Sequence, residues 1–324
     1  MSEKIHLNLM IPDEMGGTRL DLALAKLLPE YSRTQIQEWI KNANITVDNK
    51  PCKARDTVIG GEEIVMNAQR KPQPVWEAQP IELNVVYEDD ALLVINKPIG
   101  MVVHPAAGNA DSTLLNAILH HAPASKDLPR AGIIHRLDKN TSGLLVIAKT
   151  WHAFNHLTAQ LKARTIKRIY QSIVSGLLTS GGTVDEPIGR HPIHRKRMTV
   201  SEMGKPAVTH FRIIERYRNH TRIRVQLETG RTHQIRVHMA YIRCPILGDP
   251  VYGGRLQLPR GASQPLIEKL RSFKHQALHA CELGLIHPDT EKEMNWHAPL
   301  PDDFQDLIRV LKSDVNLLFG EEDE

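Results

Sequence analysis

The sequence predicts an α+β protein in two parts. Two short amphipathic helices follow one another near the start, a proline-studded stretch breaks the apolar patterning at residues 68–80, and beyond it strand-like runs recur without a helix after each one. At 324 residues the chain has the length for about two domains and a sizeable core. No window approaches ~18 consecutive apolar residues, and the opening MSEKIHLNLMIPDE lacks the basic region and apolar stretch of a signal peptide. The expectation is a cytoplasmic monomer with no membrane partner.

Residues 19–28 (RLDLALAKLL) set Leu20, Leu24, Leu27 and Leu28 at helical spacing. Residues 32–42 (SRTQIQEWIKN) start on a capping serine, Ser32, and place Ile36, Trp39 and Ile40 on one face. Short strands follow at 45–47 and 64–66 with a turn at Asp48 and Asn49, so a small α+β module spans residues 1–67. Residues 68–80 (AQRKPQPVWEAQP) carry Pro72, Pro74 and Pro80 and read as a stiff linker. The larger domain, 81–324, shows strand-like runs at 83–88, 91–97, 144–149, 169–176 and 223–228 and helical ones at 113–120 and 151–163. A closing helix from Pro301 turns Phe304, Leu307, Ile308 and Leu311 inward.

Charge is uneven. The net +4 is small, but residues 190–238 hold twelve Lys or Arg against Glu202, Glu215 and Glu228, a net of +9, the footprint of a phosphate-backbone binder. The last four residues, 321–324, are all acidic and are expected to fray. Cys52, Cys244 and Cys281 lie far apart without CxxC spacing, which argues against disulfides and thiolate metal sites. The pairs His191/His194 and His233/His238 have no evident further ligands, so no metal is expected. GxGxxG, GxxxxGK[ST] and HExxH are absent.

The stretch IIHRLDKNTSGLLVIAK (133–149) sets one acid, Asp138, between Arg136 and Lys139. AGIIH before it and LLVIAK after it read as buried strands, which puts Asp138 on a short connection at a sheet edge. Neighbouring cations favour the ionised carboxylate, which suits a nucleophile or base rather than a general acid. By residue type alone Asp138 could equally cap a turn, and Arg136 could be its salt-bridge partner.

The string HRLDKNTSGLLVIAK resembles the catalytic motif of pseudouridine synthases of the RluA type. Further matching motifs come in the same order: EDDALLVINKP (88–98), GMVVHP (100–105), KRIYQ (167–171) and LETGRTHQIRVH (227–238). The first module resembles the S4 RNA-binding domain, through RLDxxL and the Ser-Arg-xx-Ile helix. Two departures stand out. Asn140 replaces a frequent aspartate outside the working carboxylate, and Asp48-Asn49 replaces a frequent Asn-Gly turn, with both residues able to adopt positive φ.

The resemblance implies a mixed-sheet catalytic domain behind an S4 domain. It implies Asp138 as the catalytic aspartate, Tyr170 as the active-site tyrosine and Arg236 as the arginine that ion-pairs with the aspartate. It further implies RNA contacts from Arg136, which would fill the space of a displaced nucleotide, and from His135, Arg231 and His233, with Arg33, Gln37 and Lys41 reaching phosphates from the S4 helix. The activity implied is uridine-to-pseudouridine isomerisation in large-subunit ribosomal RNA or its precursor, at the hairpin called helix 69, without cofactor or metal. A glycosidase would need a second, protonated carboxylate, and near Asp138 the sequence offers only cations. A non-catalytic RNA-binding assembly factor is the other alternative.

Overall fold

A computed structural model describes residues 3–28, 31, 33–70, 76–106 and 108–319. Ser32, Pro72, Pro74 and the acidic residues 321–324, given roles above, lie outside the described residues. The chain divides into two compact units, Met1–Val75 and Trp76–Glu324.

In the first unit, strands β1 (Glu3–Met10), β2 (Ile45–Val47), β3 (Lys50–Pro51) and β4 (Glu63–Arg70) form a sheet in the order β1-β4-β2-β3, with helices α1 (Leu20–Leu27) and α2 (Arg33–Lys41). Leu20, Leu24, Ile36, Trp39 and Ile40 are buried together with Ile45, Ile64 and Met66, so the helical spacing does produce the core of this unit. Asp48 and Asn49 turn the β2–β3 hairpin with φ of 48° and 60°, a conformation their short polar side chains tolerate. β1, to which the patterning assigns no element, pairs along the whole of β4 and carries that strand to Arg70. The connecting segment is shortened at its other end as well: Trp76 packs on the second unit's core, and the Gln79 amide donates to the Asn116 carbonyl at 3.0 Å.

The second unit is built on one large mixed sheet. Its strands are β5 (Val85–Glu88), β6 (Leu92–Lys97), β7 (Ser142–Ala148), β8 (Lys167–Ser175), β9 (Gly182–Asp185), β12 (Val208–Arg216), β13 (His220–Leu227), β14 (Leu278–Ile286) and β15 (Glu293–His297). The order is β5-β6-β7-β14-β8-β13-β12-β9, with β15 on β14; every pairing is antiparallel except β7 with β14. A separate hairpin joins β10 (Ile188–Arg190) to β11 (Met198–Val200). Helices α3 (Leu114–His121), α4 (Trp151–Ala163), α5 (Gln234–Tyr241), α6 (Gln264–Ser272) and α7 (Asp302–Phe319) complete it.

β6 and β7 read as continuous apolar runs because both faces of the sheet are covered there. Leu93, Ile95, Leu145 and Ile147 face the cluster that includes α3 and α7, while Leu92, Val94, Leu144 and Val146 face α4 and Trp296. Phe304, Leu307, Ile308 and Leu311 of α7 are buried as the spacing requires. Among the described residues no helix is long and apolar enough to cross a membrane.

One local expectation is corrected. AGIIH is not a strand: residues 129–132 make a 3-10 turn, with Arg130 and Ala131 at φ of 54° and 52°, and only Ile133 bridges to Ile147. Gly132 packs so tightly that a Cβ there would stand 1.9 Å from the Ala148 carbonyl oxygen, so the chain reaches Asp138 along a buried turn.

Candidate active site

Asp138 opens a tight turn, its carbonyl accepting the Thr141 amide at 3.0 Å. The turn is pinned from the β6 side, where the Gly100 amide donates to the Lys139 carbonyl at 2.9 Å. Lys97, fully buried at the end of β6, donates from Nζ to the carbonyls of Pro98 (2.7 Å), Met101 (3.0 Å) and Lys139 (3.2 Å). Burial pulls the Lys97 ammonium down to about 7, with the Asp138 charge opposing. At the other end of the turn, Gly143 lies where β7 meets β14; a Cβ there would be 2.3 Å from the Ala280 carbonyl oxygen.

The partner of Asp138 comes from the second turn-and-helix motif. Gln234, the first residue of α5, orders the preceding loop by accepting from Thr229 Oγ1 (2.7 Å) and the Arg231 amide (3.0 Å). Two residues on, Arg236 donates from Nη1 to Asp138 Oδ2 at 2.9 Å and from Nε and Nη2 to Asp249 at 2.7 and 2.9 Å. Burial works against charge on Arg236, and Asp249 and Asp138 outweigh it. Asp249 also accepts the amides of Val251 (2.8 Å) and Tyr252 (3.0 Å).

His233 precedes α5 with φ of 58°, a strained conformation for a non-glycine residue, and its Nε2 lies 3.9 Å from Asp138 Oδ1. Its Nδ1 is 2.8 Å from the Tyr252 hydroxyl, which accepts the Met198 amide at 2.8 Å. With that hydroxyl proton given to Nδ1, the remaining imidazole N–H sits on Nε2, on the Asp138 side. Two guanidiniums lie over the Tyr252 ring, Arg197 at 5.3 Å and Arg236 at 5.0 Å from its centroid.

Asp138 and Tyr170 line the same cleft, of about 520 Å³, with cations around them: Arg130, Arg136, Arg164, Arg168, Arg231 and Arg236. The other acid in the cleft, Glu228, is held by Arg164 at 2.9 Å and His210 at 2.7 Å. Tyr170 is buried on β8 with its hydroxyl pKa raised by burial. Arg136 is exposed and, among the described residues, makes no ion pair, so it does not pair with Asp138. Arg231 is exposed, tethered by Nε to the Pro206 carbonyl at 3.1 Å.

Several other expected RNA contacts are also engaged by protein partners. His135, half-buried in the wall of the same cleft, accepts the Val146 amide on Nε2 at 3.2 Å, and burial holds the imidazole neutral with a pKa of about 3, so one ring nitrogen braces β7. In the first unit, Arg33 and Gln37 donate to buried Asp21, at 2.8 and 2.5 Å, alongside Arg19 at 3.1 Å; Lys41 stays exposed. Burial pushes the Asp21 carboxyl up, and these three hydrogen bonds bring it below its ordinary range. Lys97, Arg168, Asp249 and Tyr252 went unassigned by sequence reasoning. NKP at the end of an apolar strand and GDPVYGG were their visible signals. Among the described residues no cluster of three or more His, Cys, Asp or Glu could hold a metal ion.

Fold and cleft together define an enzyme that acts on RNA. Residues 91–241 match the family model for RNA pseudouridylate synthase and residues 18–64 the S4 domain. The chain is 53% identical over 320 residues, 99% of its length and all of the relative's, to ribosomal large subunit pseudouridine synthase D of Pseudomonas aeruginosa. It is 52% identical to the Escherichia coli K12 protein of the same name, over 97% of both chains. The solved human RNA pseudouridylate synthase domain containing 4 superposes with a TM-score of 0.55 at 26% identity, covering 71% of this chain and 93% of that one. The chain belongs to the RNA pseudouridylate synthase family.

Proposed function

We propose that the protein isomerises uridine to pseudouridine in large-subunit ribosomal RNA, at the helix 69 hairpin, acting in the cytoplasm during ribosome assembly. The observation that carries this is Asp138 at 2.9 Å from Arg236 within a cation-lined cleft that also holds Tyr170. Near-full-length identity to enzymes named for the ribosomal large subunit supports the choice of RNA.

Swinging a uridine out of the helix costs a few kcal/mol, which phosphate contacts and stacking must offset. Exposed Arg136 and Arg231 at the cleft suit the phosphates, and Tyr170 suits the base, a stack commonly worth about 1–3 kcal/mol. Of the two Asp138 oxygens, Oδ2 is taken by Arg236, while Oδ1 has the 3.9 Å neighbour His233. Oδ1 is therefore the working atom, attacking the sugar C1′ or removing the 2′ proton to give a glycal. The N1–C1′ bond breaks, the base turns, and C5 bonds to C1′, with no electrons gained or lost and no cofactor or metal required.

The test is to map pseudouridines in ribosomal RNA from cells with the wild type, without the gene, and with Asp138→Asn. The expected result is loss of the same sites in the last two, while purified Asp138→Asn binds the RNA within a few-fold of wild type. Sites retained in Asp138→Asn cells would favour a non-catalytic assembly factor. Affinity should also fall with salt, with a log-log slope of about −0.7 per phosphate contacted on a single strand.

A further inference from the structure

Among the described residues, a buried guanidinium beside the cleft has no counter-ion. Arg168 is 6% exposed, and its Nε bonds to nothing among the described residues. Its one hydrogen bond, from Nη2 to the Glu228 carbonyl, is long at 3.3 Å, and the Glu228 carboxylate is occupied elsewhere. The backbone closes over it, since a Cβ on Gly230 would stand 2.7 Å from Nη1. A charge taken out of water without a partner is costly, and unsatisfied buried donors in a native cleft call for a ligand that completes them.

The position of Arg168 says which part of the ligand that is. Arg168 and Tyr170 are two residues apart on β8 and so project from one face. Asp138 lines the same cleft, so Arg168 and Tyr170 stand side by side on one wall of the cavity that holds it. A nucleotide with its C1′ at Asp138 and its ring on Tyr170 therefore has Arg168 beside the ring in the same cavity. The exposed cations Arg136 and Arg231 are better placed for the phosphates than this buried one.

Resting on the function proposed above, we propose that Arg168 grips the carbonyl edge of the flipped uracil and stabilises the negative charge the base acquires when its bond to the sugar breaks. When N1–C1′ breaks, the electron pair stays on N1 and spreads to O2 and O4. Arg168 donates hydrogen bonds to that anion and keeps its own proton. After the ring turns, C5 bonds to C1′; C5 loses one proton and N1 gains one, so the product has the mass of the substrate. Preorganised donors of this kind act where charge develops in the transition state.

The experiment compares wild type, Arg168→Met and Arg168→Lys of the full chain on a hairpin RNA carrying the target uridine and on the same RNA with an abasic site there. Single-turnover conversion by Arg168→Met at saturating RNA should fall on the order of 10²–10³-fold, with Arg168→Lys recovering part of it. On 5-fluorouridine RNA, whose base is a more acidic leaving group, consumption of the substrate nucleotide should show a smaller defect. Arg168→Met should weaken binding of uridine RNA by about tenfold and leave abasic RNA unchanged. Equal weakening on both RNAs with a shallower salt slope would mean a phosphate contact and overturn the proposal. So would wild-type conversion by either folded variant. If the wild type itself converts no uridine, it is the underlying function that fails.

Discussion

Arg236 grips Asp249 through Nε and Nη2, at 2.7 and 2.9 Å, and this bidentate hold aims its remaining nitrogen, Nη1, at Asp138. The Asp249 side chain is fully buried and is itself anchored by two amides, so the guanidinium has one orientation available. Asp249 thereby sets where Arg236 meets Asp138, and in the reaction proposed above it would act as a positioning residue.

Asp249→Ala should therefore act on both stability and rate. Removing one partner of a buried ion pair costs about 3–5 kcal/mol, read by urea unfolding. Conversion per folded molecule should fall by on the order of 10²-fold, because a misplaced reacting group loses that much. Burial raises the Asp249 carboxyl, and the Arg236 and amide hydrogen bonds outweigh it, leaving the pKa below its ordinary 3.8. Its contribution is thus present above about pH 4 and lost as pH falls below that, a loss the variant should lack. An unchanged rate in the folded variant would remove Asp249 from the mechanism.

Lys97 predicts a pH slope of the same sign in a higher range. Its folded pKa of about 7 lies below its ordinary 10.5, so between these values the unfolded chain binds the extra proton. Wild-type stability from this group rises as pH climbs from about 7 toward 10.5. Lys97→Met should lose that rise, and its three carbonyl acceptors should loosen the Asp138 turn. Denaturant melts at pH 7 and pH 9 measure it; an identical pH response in both proteins would count against a shifted Lys97.

Tyr252→Phe keeps the ring beneath Arg197 and Arg236 but removes the hydroxyl shared by the Met198 amide and His233 Nδ1. The expected cost is about 1 kcal/mol of stability. The single-turnover rate should drop several-fold with little change in RNA affinity, since the hydroxyl that fixes the His233 tautomer is lost. A loss confined to affinity would mean that Tyr252 serves the hairpin alone.

In the S4 unit, Arg33 and Lys41 should separate. Arg33→Met removes a donor to fully buried Asp21 and should lower the unit's melting temperature, whereas Lys41→Met should leave it unchanged. If Lys41 meets a phosphate, its loss should also flatten the salt dependence by about 0.7 in log-log slope. Equal melting temperatures for both variants would argue against the Asp21 cluster as a structural element.

The sequence by itself determined the elements whose burial follows their own period. α1, α2, α4 and α7 bury the spaced residues, and β6 and β7 bury continuous runs. The family resemblance carried by the HRLDK, KRIYQ and HQIR strings singles out Asp138, Tyr170 and Arg236 as candidates. Tertiary structure alone decided what those residues meet. α5 escaped the periodicity because its inward side chains include Gln234, Arg236 and His238, buried by virtue of partners elsewhere. Arg236 and Asp138 are 98 residues apart, and nothing local to either one tells that Asp249 orients the pair. His135, Arg33 and Gln37 look from sequence like free RNA-binding groups, yet β7 engages one ring nitrogen of His135 and Asp21 takes donors from Arg33 and Gln37. Apolar burial is encoded in spacing along one segment. The fate of a polar group depends on which distant donor or acceptor the fold brings to it.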